Sequence, residues 1–389
     1  MWCCLILDCG KQINYKEVGI KQIMSKILIL GGTGYTGRLI ARHLLEQSEA
    51  EVTVAARNVD KAQTFVRELN QQYSGQCAGA VYADTANLES LRAAFRGQNL
   101  VVIAAPTTVY AETVIYAALE TGVDYLDVQL CAKKFAILQS TAGEIKRAGR
   151  CFITEAGFHP GLPAALVRYA AANLDTIQNA ITAEYFNTGR DLPYTEAVNE
   201  LIESLRISQA QVYKNNQWTK GGTFQLRSID FGSDIGLKQC YSMFLEELRP
   251  LPEIYPSLKE VGFYLSESHW MTDRVIIPIT WMLLKIMPHF IRPIGKFLWW
   301  GLSTFHKPPY RVELQIHAAG LKDGNVSNFR TSVAYPDGYG LTAIPVVATL
   351  LQYLDGSARK PGLWMMGYFV EPIRLLRDME KMGCIIRQG

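Results

Sequence analysis

"KILILGGTGYTGRLIARHLLE", Lys26 to Glu46, joins an apolar run to a helical pattern through spaced glycines. Ile27 to Leu30 is the unbroken apolar run of a strand buried on both faces of a parallel sheet. From Tyr35 onward Leu39, Ile40, Leu44 and Leu45 recur at helical spacing. Between the two, Gly32, Gly34 and Gly37 spell GxGxxG, while Gly31, Gly34 and Gly37 spell GxxGxxG. In the first register Gly32 permits a tight turn, Gly34 lets backbone approach a pyrophosphate, and Gly37 lets the helix pack close to the strand. Phosphates would rest on the amides at the helix N-terminus. Gly31, Gly32, Thr33, Gly34, Tyr35, Thr36 and Gly37 are thus the expected dinucleotide-binding turn.

The next apolar segment, "EVTVAARN", selects the dinucleotide. About 20 residues past the glycines an NAD protein offers a carboxylate to the ribose 2′-hydroxyl. Arg57 stands there instead, with Asn58 and Lys61 behind it. A guanidinium grips a phosphate in a bidentate fashion, so the expected cofactor is NADP(H). "AGAVYAD", "NLVVIAAP", "DYLDV" and "CFITEAG" continue the strands, with helical stretches at Leu88–Phe95, Glu112–Glu120 and Phe135–Ala148 between them. That alternation predicts an α/β fold with an N-terminal Rossmann domain, a doubly wound parallel sheet. The strand ends at Asp84, Ala105, Pro106 and Glu155 should line the cofactor crevice.

Beyond Gly157 the pattern changes. "NAITAEYFNTG", "WTKGGTFQLRSIDF", "YRVELQIHAAG" and "SNFRTSVAY" read as longer strands, and Val312, Leu314 and Ile316 alternate with Arg311, Glu313, Gln315 and His317. Such alternation belongs to a half-buried antiparallel sheet, hence a second, α+β domain. The expected organisation is an appendage at 1–24, a nucleotide domain at 25–156 and a substrate domain at 157–344. An apolar insertion occupies 274–305, and helices over 345–389 pack back on the first domain.

The chain has 389 residues, 49% hydrophobic and 19% charged, enough for two domains with cores of their own. A formal net charge of +3 gives no reason to expect a nucleic-acid partner. The eight cysteines form neither a CxxC pair nor a metal-ligand spacing, so no metal is expected and the thiols read as reduced in a cytoplasmic protein. The first 24 residues lack the basic region and apolar length of a signal peptide. Met1 and Met24 both remain open as the start.

"GGTGYTGRLIARHL", "ALETGVDYLDV", "EIKRAGRCFITEAGFHPGLPAALVRYAA" and "YPDGYGLTAIPVVATLL", in that order, resemble the saccharopine dehydrogenase-like family of NADP-binding oxidoreductases. The resemblance spans roughly Lys26 to Leu354 and is poor between about Asn215 and Pro309. It implies hydride transfer at a cleft between a Rossmann domain and a substrate domain. Lysine-pathway members carry an acidic residue where His159 stands, and an Asp-His pair where this chain has "LPAAL". A charged amino-acid substrate needs polar partners, which sets saccharopine aside.

In "RVIIPITWMLLKIMPHFIRPIGKFLWWGLSTF", Arg274 to Phe305, the uncharged runs are too short to span a bilayer. Lys285, His289, Arg292 and Lys296 are spaced for one helical face opposite Trp281, Leu284 and Trp299, as in a helix lying on a membrane surface. Pro288 and Pro293 argue against one unbroken helix. A flap over the cleft and a contact with a second copy are the competing readings.

For catalysis His159 is the foremost candidate, on the loop after the last Rossmann strand, where an imidazole donates a proton as hydride arrives. Its alternative is a histidine that only bonds backbone at the domain junction. Glu155, Asp124, Tyr125 and Asp127 follow, with "DYLDV" read alternatively as fixing a strand end. Only Tyr255 and Lys259 have the Tyr-x-x-x-Lys spacing of short-chain dehydrogenases, far from the expected place. The reading is an NADPH-dependent oxidoreductase reducing a C=C, C=O or C=N bond of an apolar, lipid-like small molecule. A regulatory protein that binds NADP(H) without catalysis is the alternative.

Overall fold

The computed structural model describes residues 25–73, 78–187, 194–195, 198–199, 202, 210–221, 225–267, 269–305 and 307–389. The appendage expected at 1–24 lies outside them. Six strands come first: β1 (Lys26–Leu30), β2 (Glu51–Ala56), β3 (Ala78–Tyr82), β4 (Leu100–Ile103), β5 (Asp124–Asp127) and β6 (Cys151–Thr154). Helices α1 (Tyr35–Gln47), α2 (Val59–Gln72), α3 (Leu88–Phe95), α4 (Ala111–Thr121) and α5 (Ala132–Arg147) alternate with them. The apolar strand residues are shielded on both faces: Ile27 and Ile29 pack in one core, Leu28 and Leu30 in another. α1 buries Ile40, Ala41, Leu44 and Leu45, the stripe that its periodicity announces.

The sheet has a seventh strand. β15 (Gly362–Met365) pairs in parallel with β6, giving the order β15-β6-β5-β4-β1-β2-β3. The polarity of the chain therefore reverses its winding between β1 and β4, and ligands bind at such a switch point.

The second sheet holds nine strands, led by β7 (Thr176–Asn187), in the order β10-β11-β12-β7-β13-β14-β16. These are β10 (Leu226–Asp230), β11 (Leu237–Met243), β12 (Glu260–Ser266), β13 (Arg311–Lys322), β14 (Asn325–Tyr335) and β16 (Ile385–Gln388). A two-residue hairpin, β8 (Tyr213–Lys214) with β9 (Gln217–Trp218), hangs on β12. The sheet is mixed: β12 runs parallel to β7, while the other pairings are antiparallel. The long connection after β7 gives the chain room for that crossover.

The alternation on β13 does not mark a solvated face. Glu313 and Gln315 are each 1% exposed, because the turn between β10 and β11 folds over them. They are tolerated because they are bonded: Arg311 Nε donates to Glu313 at 2.8 Å, Gln315 Nε2 to Glu313, and Arg330 to Gln315 at 2.9 Å.

The insertion is two helices, Ile277–Ile286 and Ile291–Thr304. Pro278 follows a π-helical turn, Thr272–Ile276, that runs into the first helix, and Pro293 sits in the first turn of the second, where a missing amide is harmless. Lys285 is therefore on the first helix, His289 on the link, and Arg292 and Lys296 on the second, so the expected single stripe is divided. The segment expected to close the chain as helices also supplies β15 to the first sheet and β16 to the second. Its helix Gly338–Leu354 joins the core that contains α1, and Tyr353 donates to Asp124 on β5 at 2.6 Å.

Candidate active site

The glycine turn is built around Gly31, whose φ is +85°. A Cβ there would lie 2.6 Å from Ala105 Cβ, so both conformation and approach demand glycine. GxxGxxG is thus the register the fold uses, with the left-handed residue one place before the one expected. A Cβ at Gly37 would meet Gly31 O at 2.4 Å, which sets how close α1 approaches the turn. At Gly34 the only neighbour is Gly31 O at 3.3 Å, leaving open space above the helix N-terminus. Gly34 caps α1 without a side chain and no acidic residue occupies its first turn, so the leading amides keep their capacity for an anion.

That turn opens onto a cleft of about 300 Å³ at the switch point, lined by the ends of β1, β2, β3 and β4. Gly31, Thr33, Gly34, Arg57, Ala105 and Pro106 all line it. So do Ala83, Thr85, Thr107 and Tyr110, which the sequence reading missed because nothing but position marks them. Gly32 lies beneath, against Ile29 and Val54. Tyr35, Thr36 and Gly37 begin α1 outside the lining residues. Asn58 does not reach out: its side chain caps α2 by accepting from Lys61 N at 2.9 Å. Lys61 is exposed. Asp84 folds back to accept from Ala86 N at 3.1 Å, so the strand end there presents Ala83 and Thr85 instead. Gln129 Nε2 donates to Ala105 O at 2.8 Å and Thr107 Oγ1 at 2.9 Å, tying β5 to the rim of the cleft.

The catalytic candidates separate. Tyr125 is 1% exposed and stacked on Phe152 within the core beneath α4 and α5, and burial followed by the Asp127 carboxylate pushes its phenol well above the ordinary range. It serves the core. Glu155 follows β6 with a φ of +57° and is buried, and Oε2 has no partner among the described residues. Burial pushes its carboxyl up to about 7, opposed by Lys134. Lys134, which the sequence did not single out, is fully buried and donates to Asp127 at 2.6 Å, Gln129 O at 2.7 Å and Thr154 at 2.7 Å. All three of its donors are used, so it braces the ends of β5 and β6.

His159 sits at the domain junction. Its Nδ1 lies 2.8 Å from Glu184 Oε2 on β7, and its ring packs edge-on to Phe158 and stacks on Phe263. The loop that carries it is closely held. Gly161 has a φ of +119° and approaches Glu155 O, and Glu247 accepts from Gly161 N at 2.7 Å and Ala164 N at 3.1 Å at the start of α6 (Leu162–Ala172). Tyr339 brings the helix Gly338–Leu354 onto the glycine turn, stacked on Tyr35 at 5.3 Å and bonded to Thr195 at 2.9 Å. Tyr255 and Lys259 lie in the second domain, outside both clusters, and Tyr255 packs against the main core.

Residues 27–150 match the family model of the saccharopine dehydrogenase NADP binding domain. The nucleotide domain belongs to that family. Its cofactor is NADP(H), and the open space over Gly34 together with Arg57 at the cleft fits that group. Apo saccharopine dehydrogenase (L-Glu forming) from Saccharomyces cerevisiae has a similar fold, with a TM-score of 0.68 at 14% identity over 94% of this chain and 100% of that one. A myo-inositol dehydrogenase from Corynebacterium glutamicum matches more loosely, with a TM-score of 0.45 at 11% identity over 94% of this chain and 99% of that one. No curated protein matches the sequence. A saccharopine dehydrogenase-like, NADP-binding fold points to an oxidoreductase with a small-molecule ligand. Among the described residues no helix is long and apolar enough to cross a membrane, and no group of three or more His, Cys, Asp or Glu side chains is placed to hold a metal ion.

Proposed function

We propose that the chain is an NADPH-dependent oxidoreductase that reduces a C=C, C=O or C=N bond of a largely apolar substrate at the domain junction, with His159 as proton donor. The carrying observation is the 2.8 Å contact between His159 and Glu184, which links the loop after β6 to the second sheet. NADPH, when bound, supplies the hydride. Arg57 and the amides of the glycine turn hold the cofactor's phosphates. The Glu184 carboxylate faces Nδ1 of the imidazole as a charge contact without hydrogen-bond geometry, and Nε2 is the nitrogen that would pass a proton. Phe158 and Phe263 flank the ring, so a substrate meeting it finds apolar surface.

A membrane surface is the proposed source of that substrate. Ile286 and Phe290, at the link between the two helices, are 67 and 54% exposed and Met282, one turn earlier, is 52% exposed, and Lys285, Arg292 and Lys296 are exposed on the same two helices. A second copy of the chain is the competing occupant.

The test is NADPH oxidation by purified protein against enoyl, keto and imine compounds, followed by His159→Asn. The variant should keep NADPH affinity and thermal stability and lose turnover by ~10²–10⁴. Unchanged turnover moves the role to Glu155. Tight NADPH binding with no turnover on any class favours the regulatory alternative.

A further inference from the structure

After β4 the chain makes a short helical turn, Thr108–Tyr110, and Thr107 stands in the capping position before it. A threonine oxygen placed there ordinarily accepts from an amide of the turn, yet this side chain makes no capping bond. Its hydroxyl faces Gln129 instead, whose Nε2 donates to Thr107 Oγ1 at 2.9 Å. Thr107 lines the NADP cleft together with Gly31, Ala105 and Arg57.

Gln129 is firmly held. It is 4% exposed, its N–H donates to Asp127 Oδ1 at 3.0 Å, and its carbonyl accepts from the buried Lys134 Nζ at 2.7 Å. Nε2 also donates to Ala105 O at 2.8 Å, and because a carbonyl only accepts, nitrogen must stand on that side of the amide. With one hydrogen on Ala105 O, the second reaches Thr107, whose hydroxyl is therefore the acceptor. The hydroxyl carries a single hydrogen of its own, which is thus directed away from Gln129. Among the described residues nothing accepts it, and the cleft that Thr107 lines is where an acceptor can enter. The buried Lys134–Asp127 pair thus ends in a fixed amide, and the amide in a directed hydroxyl.

We propose that Thr107 binds the cofactor through this hydroxyl, donating to an oxygen of the adenosine half of NADP(H), and that Gln129 is the positioning residue that aims it. The adenosine half is the one expected in this cleft, because Arg57 and the ends of β2 and β3 line it as well. The inference rests on the NADP(H) assignment of the cleft and is independent of the substrate and proton donor proposed at the domain junction.

Calorimetry on the full chain with NADPH, and with 2′,5′-ADP as a probe of the adenosine half alone, tests it. Thr107→Val keeps the shape and loses the hydroxyl; it should weaken both ligands by about tenfold, whereas Thr107→Ser should stay within about threefold of the parent. Gln129→Met removes the donor amide at similar volume. It should weaken both ligands on its own, and on the Thr107→Val background change neither by more than about twofold, since a residue acting only through that hydroxyl has nothing left to aim. Thermal melting checks the fold of each variant, and Thr107→Ala and Gln129→Leu carry the same expectations where one of the first pair fails to fold.

The proposal is overturned if Thr107→Val binds NADPH within about twofold of the parent, if Thr107→Ser shares its loss in full, or if 2′,5′-ADP escapes that loss. Equal weakening by Gln129→Met with and without Thr107→Val likewise overturns it, by making Gln129 a support of the cleft wall only. A parent that binds no NADPH defeats the cofactor assignment as well, while failure of this proposal alone leaves the parent's affinity and its dependence on Arg57 intact.

Discussion

At the level of one side chain Arg57 is the proposed determinant of cofactor choice, since it lines the cleft where an acid would repel a 2′-phosphate. Arg57→Ala should weaken NADPH by about 1–3 kcal/mol and leave NADH nearly unchanged, as read by calorimetry. Equal losses for both would remove Arg57 from the site. Glu155 makes a different prediction. Its folded value of about 7 lies above the ordinary 4.5, so folding favours the protonated form. The stabilisation it gives is complete below about pH 4.5 and is lost as pH rises to about 7, on the order of 1–3 kcal/mol. Urea unfolding at a series of pH values should show that decline in the parent and a shallower one in Glu155→Gln, where Glu247, raised by burial to about 8, still contributes. Identical slopes would mean that Glu155 does not titrate there. Among these residues Arg57 was legible because its distance from the glycines is set by one strand–helix–strand unit. The choice between Gly31 and Gly32 was not, since one string holds both registers and only the +85° φ decides.

At the scale of elements, local pattern sufficed wherever a segment buries itself by its own period. The strands β1 to β6 and the helices between them fall where apolar runs and helical spacing put them. Pattern failed on β13, where a polar row reads as solvated and is instead bonded and covered by a turn about 80 residues away in the chain. It also divided the basic stripe, because the link Met287–Phe290 separates two helices. The exposed apolar residues of that pair should make the protein float with anionic liposomes at low salt, and added salt should weaken the binding. Replacing Lys285, Arg292 and Lys296 with Glu should abolish it. Absence of flotation at low salt would turn this surface over to a second copy of the chain, which sedimentation would reveal.

Across the whole molecule the C-terminal segment joins the two sheets. β15 completes the first, β16 extends the second, and Arg168 on α6 donates to Gly367 O at 2.6 Å and Val370 O at 2.7 Å between them. A chain truncated after Gly356 leaves β6 as an edge and removes Leu375, Leu376 and Met379 from the core, uncovering the apolar residues they cover. It should accumulate in inclusion bodies or melt at least 5 °C lower, with weakened NADPH binding; a truncated protein as stable as the parent would show that β15 is dispensable. What the sequence determined alone was the nucleotide domain, because a strand, a turn and a helix in succession encode both their burial and their phosphate-binding amides within some twenty residues. What only the tertiary structure decided was the meeting of distant groups: His159 with Glu184, Asp124 with Tyr353, Glu247 with the start of α6. Such pairs arise from packing between elements far apart in the chain, and no local period records them.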